Sequence, residues 1–522
     1  MSVMNESYDV LISGFGPSGA VAANLLGKLG VRTLCVDKAR EVYDKPRAIA
    51  LDHEIMRIFQ DLGLAERIAP FVDVFPPSEY YGTQGQLIKR IATVEKPYPM
   101  GYTPTMTFTQ PPVEQALRDQ AASYDCVSLA LGTELIGFED TGEAVTARLR
   151  DGAGQTRTVT AKYLIAADGA SSFVRTTLGI ALEDLVFDEP WVVVDVMVND
   201  SGLAKLPKVA IQYCEPKRPC TYIVGPGRHR RWEIMLSPGE DPAQMREDES
   251  VWQLLSRWLT PEDGTLWRAA SYRFHALVAS EWRRGRVFIA GDAAHQQPPF
   301  IGQGMCQGVR DIVNLVWKLE RVLRGSASDA LLDTYQVERK QHVTTLTTRI
   351  KEIGRVICER DEAAAAARDA RLLAECGGVV KTVTRQEIVP PLQSGLLAAD
   401  GNAVNGTLFP QPLVATDANA SALLDDVVGG GWRVVVDDVA LLDSGWVAAA
   451  RDIGARVVVL GSAASLPAGS VAVQEKEGVL ARWFEKHDCH AAIVRPDHYV
   501  WGVAGHASAL ASQLDALIGA LS

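Results

Sequence analysis

The sequence predicts an α/β protein of several domains, with a parallel sheet in the first of them. Its 522 residues exceed the length at which a single hydrophobic core stops growing. A short apolar strand near the N-terminus runs into a glycine-rich turn and a helix, the order of elements that builds parallel sheets. Residues 181–280 alternate in strand fashion, and a stretch rich in Pro, Gly and Asn over 389–413 precedes a further α/β segment. These observations indicate domains of different architecture.

The first unit has the order strand, helix, strand. Tyr8 to Ser13 is short and apolar, and the glycine-rich turn Gly14 to Gly19 follows it directly. The next helix ends at Gly30, because glycine can adopt the left-handed conformation of a helix C-terminus. Val31 to Val36 predicts the second strand, which Asp37 closes. A βαβ unit of this length places its two strands in one parallel sheet.

Two later strands each end in a pair of glycine and aspartate. The apolar run at 162–167 is followed by Asp168-Gly169, and the run at 286–290 by Gly291-Asp292. The clearest helix of the chain covers 304–323, where apolar residues recur at the spacing of one buried face.

This order of elements predicts the division of the chain into domains. The cofactor-binding domain comprises residues 1–180, with an excursion into the substrate domain near 76–105, and residues 281–388, which include a helical extension. Residues 181–280 form a sheet-rich substrate domain. Residues 389–413 form a linker, and residues 414–522 a small last domain.

Composition and charge exclude several functions. The net charge of −12 repels phosphate backbones and anionic lipids, so we expect neither a nucleic acid nor a membrane as partner. The N-terminus lacks the pattern of a secretory signal, which predicts a cytoplasmic protein. Eight scattered cysteines form no Cys-x-x-Cys pair and no metal-ligand spacing, so free thiols and no metal site are expected. A homodimer is left open.

Each glycine of Gly14-x-Gly16-x-x-Gly19 has its own task in binding a dinucleotide. The first permits the tight turn, the second lets phosphate approach the backbone, and the third lets the helix pack on the strand. The helix then points its free N–H groups and positive dipole end at the pyrophosphate. Asp37, 23 residues after Gly14, can accept the ribose hydroxyls and repels a 2′-phosphate. The turn predicts FAD or NAD rather than NADP; a tight turn without ligand is the alternative.

The two aspartate motifs extend the predicted site along a longer cofactor. Asp168-Gly169 follows a buried strand, at the sheet edge where α/β proteins bind ligands. Beyond Gly291, the Asp292 carboxylate can accept a hydrogen bond from a polyol hydroxyl such as that of a ribityl chain. This combination favours FAD.

The loop before the helix at 304–323 is expected at the flavin ring. Gly302 and Gly304 flank the start of the helix, and its N-terminus can stabilise the negative charge of a reduced flavin. Pro298 and Gln303 belong to the same loop and are assigned to the cofactor with it. The neighbouring His295 is interpreted as a structural, hydrogen-bonding residue rather than a proton donor.

The three motifs, in this order and spacing, resemble those of the class A flavoprotein monooxygenases, single-component aromatic hydroxylases that carry FAD. The resemblance extends to Arg47 in Pro46-Arg47-Ala48 and to Gln110 in Thr109-Gln110-Pro111, which it assigns to the cofactor. Further shared stretches over 291–319, 331–342 and 495–497 make the chain similar to the 3-(3-hydroxyphenyl)propionate hydroxylases of the MhpA type within that family.

The resemblance implies a Rossmann-like FAD-binding domain and a last domain that is thioredoxin-like without redox cysteines. Glutamate is usual in the family where Asp37 stands here, and both are acceptors. The neighbours of Pro298, Gln296-Gln297 and Pro299 to Ile301, also differ from the family, which puts the substrate in doubt because they are expected near the flavin ring.

The implied activity is the hydroxylation of a phenol ortho to its hydroxyl. NADH or NADPH reduces the flavin, O2 forms a flavin C4a-hydroperoxide, and the substrate is 3-(3-hydroxyphenyl)propionate or a related phenolic acid of aromatic catabolism. The flavin carries the chemistry, so no catalytic side chain is identified. Arg218, beside Tyr213 and Tyr222, is the candidate for the substrate carboxylate. The alternatives are a surface arginine and tyrosines that pack within the sheet.

Three other functions are left open. The chain could hydroxylate another phenol, of resorcinol or polyketide type. It could be a flavin-dependent NAD(P)H oxidase that does not hydroxylate. It could also be a flavoprotein scaffold without catalysis, although intact cofactor motifs argue against this.

Overall fold

The computed structural model describes residues 6–416, 419–462 and 466–521, without the side chains of 386, 387, 416, 419 and 420. The first five residues, on which part of the expectation about a secretory signal rests, lie outside this range. In the described part of the chain, no helix combines the length and the apolar character needed to cross a bilayer, and no group of three or more His, Cys, Asp or Glu side chains is placed to hold a metal. All eight cysteines are free thiols.

The first segment, up to residue 180, alternates short strands and helices. Its strands are β1 (Glu6–Ser13), β2 (Thr33–Asp37), β3 (Ala50–Asp52), β4 (Val72–Val74), β5 (Ser78–Tyr81), β6 (Leu87–Ala92), β7 (Thr105–Phe108), β8 (Val127–Leu131), β9 (Thr133–Asp140), β10 (Val145–Asp151) and β11 (Thr156–Ala166). Its helices are α1 (Pro17–Lys28), α2 (His53–Asp61), α3 (Ala65–Ile68), α4 (Gln110–Ala122) and α5 (Phe173–Thr177).

The middle of the chain contains long strands and then long helices. The strands are β12 (Leu182–Val198), β13 (Ala210–Tyr213), β14 (Cys220–Val224), β15 (His229–Met235), β16 (Gly264–Ala279), β17 (Arg283–Arg284), β18 (Val287–Ile289), β19 (His295–Gln296) and β20 (Thr382–Thr384). The helices are α6 (Asp200–Lys205), α7 (Asp248–Leu255), α8 (Gly304–Leu323), α9 (Asp333–Cys358) and α10 (Glu362–Glu375). Helix α8 spans the predicted residues.

The last segment again mixes strands and helices. Its strands are β21 (Leu413–Thr416), β22 (Asn419–Leu423), β23 (Arg433–Val436), β24 (Arg456–Leu460), β25 (Ser470–Glu475), β26 (Ala491–Val494) and β27 (Val500–Ala504). Its helices are α11 (Leu424–Val428), α12 (Ser444–Asp452), α13 (Val479–His487) and α14 (Ala507–Leu521).

A parallel core forms the first sheet, in the order β17-β18-β11-β1-β2-β8, with β9 and β10 attached through β11. The carboxyl-terminal halves of its central strands β1 and β11 are almost entirely apolar, as expected where both faces of a sheet are buried. The register pairs Ser13 with Ala166 and with Val36, and Ala166 with Ile289. The carboxyl ends of four strands therefore meet at one edge of the sheet.

The second sheet has nine strands, in the order β19-β16-β12-β15-β14-β13-β5-β6-β20. Strands β12 to β16 come from the sheet-rich segment, while β5 and β6 come from the excursion near 76–105. Aromatic and aliphatic side chains cover one face, among them those of Tyr222 and Trp232. The other face is turned towards the first sheet and carries polar side chains, so the sheet forms one wall of an internal cavity.

The last domain is a seven-stranded sheet in the order β22-β21-β25-β24-β23-β26-β27, with helices packed against it. This is the separate α/β architecture that was predicted. Buried polar contacts join it to the first domain. Arg57 donates to Asp425 over 2.6 Å, and the Tyr499 hydroxyl donates to Glu54 over 3.0 Å.

The predicted linker over 389–413 lacks regular structure but is packed rather than loose. Phe409 and Gln411 are fully buried, and the Phe409 carbonyl accepts a hydrogen bond of 2.6 Å from Arg57. Gly406, at φ +80°, lies so close to Leu392 that a Cβ there would be 2.0 Å from its carbonyl oxygen. Gly406, one of the glycines on which the linker prediction rests, is therefore required for close packing.

Candidate active site

The three glycine motifs meet at the edge where the parallel strands end. The Gly14 N–H donates to Val36, the Ala167 N–H to Ser13 and the Ala290 N–H to Ala166, over 2.8–2.9 Å. These backbone bonds continue the strand pairing one residue beyond each strand. The motifs at Asp168 and Gly291 follow Gly14 by about 150 and 275 positions in the sequence. They lie beside it because the strands that precede them, β11 and β18, are close to β1 in the sheet.

Two of the three turn glycines are required by packing. Gly14 has φ +97°, and a Cβ there would lie 2.3 Å from the Ala167 carbonyl oxygen. A Cβ on Gly19 would lie 2.0 Å from the Gly14 carbonyl oxygen, so helix α1 could not sit so close to the turn. Gly16 differs, because nothing lies within 4 Å of its Cβ position, and it lines the cavity. Of the three, Gly16 is the one open to a ligand.

Asp37 stands at the carboxyl end of β2, as predicted, and holds the turn. One carboxylate oxygen accepts the Phe15 N–H over 2.6 Å and the other accepts the Ala39 N–H over 2.7 Å. Each oxygen keeps a second lone pair. Asp37 can therefore accept a ribose hydroxyl while it fixes the turn that Gly14 begins.

The segment containing Arg47 is held from both sides. Gln110 is buried, and its side-chain oxygen accepts the N–H groups of Arg47 and Ala48 over 2.9 and 2.6 Å. From the other side, Arg231 and Arg268 both donate to the Pro46 carbonyl. Gln110 thus positions the loop, while the half-exposed Arg47 side chain borders the cavity.

Asp168 has one oxygen without a partner. Its Oδ2 accepts the Val174 N–H over 3.2 Å, while Oδ1 is buried and has no hydrogen bond among the described residues. Burial raises the pKa of this carboxyl, against hydrogen bonds that lower it. Arg175 ties the motif to the next one by donating to Ala170 and to Ala293, both over 2.9 Å.

Asp292 extends from the second aspartate motif into the cavity. Its side chain is accessible from the cavity, and desolvation by the surrounding protein raises its pKa. No hydrogen bond to it occurs within the described ranges. Gly291, at φ +61°, packs against Ser18, whose hydroxyl oxygen would be 2.8 Å from a Cβ. The aspartate is therefore fixed beside α1 as a free acceptor.

The loop before α8 brings both backbone and apolar side chains to the cavity. Gly302 and Gly304 line it, and nothing lies within 4 Å of a Cβ on Gly304. Pro298 is buried behind the loop, whereas Pro299 lines the cavity. The Gln303 side chain departs from the predicted cofactor contact. It turns away and donates to Asp52 over 3.0 Å, which anchors the loop from behind.

Arg310 links this loop to the last domain. It donates to the Gln303 side-chain oxygen over 2.8 Å and also to Asp52 and Glu54. Glu54 in turn accepts the Tyr499 hydroxyl. All five side chains are buried, so the start of α8 is connected to the last domain without intervening solvent.

These groups fit FAD. The N-termini of α1 and α8 both open into the cavity at glycines with free space. The Asp292 carboxylate, which lines the cavity, is an acceptor for hydroxyl groups. An open cradle with unsatisfied acceptors is the arrangement expected where a polar ligand completes the site.

The cavity extends beyond this cradle to a volume of about 440 Å³. Its walls include apolar side chains, among them Phe75, Val193, Phe274, Phe300 and Ile301. Polar side chains of the nine-stranded sheet and of the segment after β20 also line it, among them Ser78, Gln212, Thr221, Glu233 and Arg385. A cavity with aromatic walls and polar groups suits an aromatic ring with polar substituents.

The structure corrects the predicted substrate residues. Tyr213 and Tyr222 lie on the opposite face of the nine-stranded sheet, where Trp258 donates to the Tyr213 hydroxyl and Tyr222 donates to Pro207. Arg218 forms a two-pronged ion pair with Glu240 and does not line the cavity. The side chains alternate along each strand, so the neighbours of the two tyrosines face the cavity instead.

His295 was interpreted as structural, and its contacts are of that kind. Its Nε2 lies 2.8 Å from Asp311, which also accepts the Gly291 N–H and a bond from Arg339. The imidazole stacks on the Trp282 ring. This histidine borders the cavity, and its ring is held from behind.

The sequence reasoning missed Glu233 and Arg385. Glu233 stands in β15 next to Trp232, and the alternation of β15 predicts that these two side chains face opposite ways. This alternation is visible in the sequence. Because both faces of the sheet are buried, however, the alternation does not show which face lines the cavity. Arg385 follows β20, which joins the sheet through the distant β6, and the sequence carries no signal for this pairing.

Comparison with known proteins identifies the family. The FAD binding domain family matches residues 7–350, and the HcaD C-terminal domain family matches residues 406–519. A probable NADH-specific resorcinol 4-hydroxylase of Rhodococcus jostii (strain RHA1) is 36% identical, covering 99% of this chain and 96% of its own. A 3-(3-hydroxy-phenyl)propionate/3-hydroxycinnamic acid hydroxylase of Burkholderia cenocepacia (strain HI2424) is 34% identical, covering 94% and 93%.

Solved structures share the whole architecture. The flavin-dependent monooxygenase PieE, in complex with FAD and substrate, superposes with a TM-score of 0.83 at 22% identity, covering 98% of this chain and 99% of that one. Aklavinone-11 hydroxylase, in a ternary complex with FAD and aklavinone, gives a TM-score of 0.79 at 25% identity and covers 99% of both chains. The matched families and the relatives above 30% identity over nearly the full length agree with the geometry. The chain therefore belongs to the FAD-dependent aromatic-ring monooxygenases, with FAD as its cofactor.

Proposed function

We propose that the protein hydroxylates a phenolic acid such as 3-(3-hydroxyphenyl)propionate, ortho to the phenol hydroxyl. The observation that carries this proposal is Arg385, a buried arginine that lines the cavity and forms no ion pair with the carboxylates that the structure describes. Hydroxylases of this acid from several organisms are 32–34% identical to the chain. An anionic substituent on the ring supplies the partner that the arginine lacks.

Arg385 is prepared for an anion by its surroundings. Only 6% of the residue is exposed, and its guanidinium stacks 4.4 Å from the centre of the Phe75 ring. One N–H donates to the Ile301 carbonyl over 3.1 Å. No described carboxylate forms an ion pair with it, and Asp52 acts on it only from a distance, although buried arginines are normally paired. Its remaining N–H groups can bind a carboxylate in two-pronged fashion.

The residues at the sheet edge are proposed to hold FAD along its length. The α1 N-terminus at Gly16 takes the pyrophosphate, Asp37 the adenosine ribose, and Asp292 the ribityl chain. Arg47 borders the same cradle, and the α8 N-terminus at Gly304 faces the flavin ring. The bound flavin supplies the redox chemistry, accepting two electrons from the nicotinamide and passing oxygen from O2 to the ring.

The protein side of the reaction is binding and orientation. The aromatic walls around Phe274 and Phe300 hold the substrate ring and exclude water, and Arg385 fixes its orientation through the carboxylate. Overall, NAD(P)H, a proton and O2 are consumed, and the ring hydroxyl and water are formed. We propose NADH as the donor, because the resorcinol hydroxylase relative is named as NADH-specific.

Removal of the guanidinium tests the substrate assignment. Arg385→Met is expected to raise the KM for 3-(3-hydroxyphenyl)propionate by about 10- to 100-fold, since hydrogen bonds to charged groups contribute about 1.5–3 kcal/mol. The KM for resorcinol, which has no carboxylate, is expected to change little. The measurement is catechol-type product by chromatography together with NADH consumption. The matched control is Arg218→Met, which removes an arginine that lies outside the cavity.

A resorcinol-type substrate is the second candidate, favoured by the relative at 36% identity. It predicts higher kcat/KM for resorcinol than for the acid, and equal sensitivity of both to Arg385→Met. A polyketide phenol is tested in the same screen. If hydrogen peroxide equals the NADH consumed with every phenol, the protein acts as an oxidase and the proposal is rejected.

We further propose a cytoplasmic enzyme that acts without nucleic-acid or membrane partners. The net charge of −12 supports this location and these absent partners. A homodimer stays a prediction, and light scattering of the FAD-loaded protein measures it directly.

A further inference from the structure

A row of three polar side chains crosses the cavity face of the nine-stranded sheet. Gln212 of β13 pairs with Thr221 of β14, which pairs with Glu233 of β15. The Thr221 hydroxyl donates to the Gln212 side-chain oxygen, so these two satisfy each other. All three line the cavity, and the row ends at the carboxylate of Glu233.

Glu233 is left without a partner. Only 3% of the residue is exposed, and its Oε2 is buried with no hydrogen bond among the described residues. Arg231, two residues earlier on the same face, is engaged elsewhere. It donates to both oxygens of Asp195 and to the carbonyls of Pro46 and Arg47. A buried carboxylate in a ligand cavity with an unused acceptor oxygen needs a donor from the ligand.

We propose that Glu233 accepts the proton of the substrate phenol, and that it is a catalytic residue of the hydroxylation. This inference rests on the proposed function, because it requires a phenol in the cavity. Glu233 and Arg385 both line the cavity, so the proposal has the hydroxyl of a phenolic acid at the Glu233 carboxylate and the carboxylate of the acid at Arg385.

The proton transfer activates the ring. The phenol O–H bond breaks, its proton passes to Glu233, and its electron pair stays on the oxygen. That pair raises the electron density at the ortho carbon, which forms the new C–O bond with oxygen derived from O2. The ortho carbon then loses its own proton to the second oxygen atom as the ring becomes aromatic again, and Glu233 returns its proton to the phenolate oxygen of the product. NADH supplies the two electrons that reduce the second oxygen atom to water.

The surroundings of Glu233 suit a base at neutral pH. Burial raises its pKa to about 7, since the lowering effect of Arg231 is partly offset by Asp195 on the neighbouring strand. Four other arginines line the same cavity: Arg47, Arg268 and Arg273 of β16, and Arg385. A general base works best when its pKa lies near the operating pH. The carboxylate form accepts a proton, so hydroxylation is expected to rise as the pH increases through about 7.

Substitution by the isosteric amide tests the role of the carboxylate. Glu233→Gln is expected to lower the rate of product formation about 100-fold and to remove the rise near pH 7. The bound-flavin spectrum and flavin reduction by NADH are expected to persist. Glu233→Asp, which keeps a carboxylate, should recover part of the rate and the pH dependence. The matched control is Glu79→Gln, in the same sheet but on the opposite face. Wild-type hydroxylation by Glu233→Gln with an unchanged pH profile overturns the proposal.

A binding experiment separates this proposal from the proposed function. The probe is 4-nitrophenol, whose ionised form absorbs visible light, titrated against pH with the FAD-loaded protein. The wild type is expected to bind it ionised at a lower pH than Glu233→Gln does. If this difference appears but no phenol is hydroxylated, the proposed function fails and the role of Glu233 as proton acceptor stands. If both proteins ionise the probe equally, Glu233 is not the acceptor.

Discussion

Gly19→Ala is expected to yield a folded protein that has lost most of its affinity for FAD. The added methyl group would lie 2.0 Å from the Gly14 carbonyl oxygen, so helix α1 must move away from the turn. The N-terminus of α1 then no longer faces the pyrophosphate position. Overpacking of this kind costs about 1–3 kcal/mol, which corresponds to about 10- to 100-fold in affinity. The measurement is a titration of the FAD-free protein with FAD, followed by flavin fluorescence.

Gly505→Ala is the control for this variant. It adds the same methyl group at an exposed glycine with nothing within 4 Å, and it should bind FAD as the wild type does. Far-ultraviolet circular dichroism of Gly19→Ala checks that the fold is retained. Wild-type affinity in Gly19→Ala would show that the turn tolerates the shift and that its close packing is not needed for FAD.

Arg495→Met is expected to destabilise the protein strongly, by about 3–5 kcal/mol. Arg495 is fully buried and donates to both oxygens of Glu338, at 3.1 and 2.7 Å, and to Asp497 and Leu396. Methionine fills much of the volume but leaves the two carboxylates without this cation. Lys318 remains to pair with Glu338, so the loss is large but not complete.

The free energy of unfolding is measured from the first transition in urea, because a chain of several domains need not unfold in one step. Arg371→Met is the matched control. It removes an exposed pair with Glu375, one turn away on α10, and should change the stability by less than about 0.5 kcal/mol. Equal midpoints for the two variants would contradict the assigned role of the buried Arg495 pair.

The meeting of the three glycine motifs at one edge of the sheet could be predicted from the sequence because it depends on local patterns and one topological rule. Each motif follows an apolar strand, and parallel strands that end at one edge bring Gly14, Asp168 and Gly291 together. Gly14, Gly19 and Gly291 can be recognised in the sequence because close packing leaves no room for a side chain at these positions. Gln303 was assigned to the cofactor only because it stands between two such glycines.

The substrate end could not be predicted because it depends on the pairing of distant strands. In β13 to β15 both faces are buried, one in a hydrophobic core and one against a cavity, so the alternation of side chains does not identify the functional face. Tyr213 and Tyr222 were predicted to bind the substrate, yet they pack in the core. Glu233 lies on the opposite face of the sheet, at the cavity. Arg385 reaches the cavity through a pairing between residues almost 300 positions apart.

The connection from Tyr499 through Glu54 and Arg310 to Gln303 limits how freely the C-terminal domain can be exchanged. A replacement domain that lacked the Tyr499 hydroxyl would leave one buried oxygen of Glu54 without its hydrogen bond. Glu54 is linked through Arg310 to Gln303, the residue before α8. Chimeras built at the connector over 389–413 must therefore transplant both sides of the contact. The last domain is therefore not an independent module, because its contacts help to hold the loop that precedes α8.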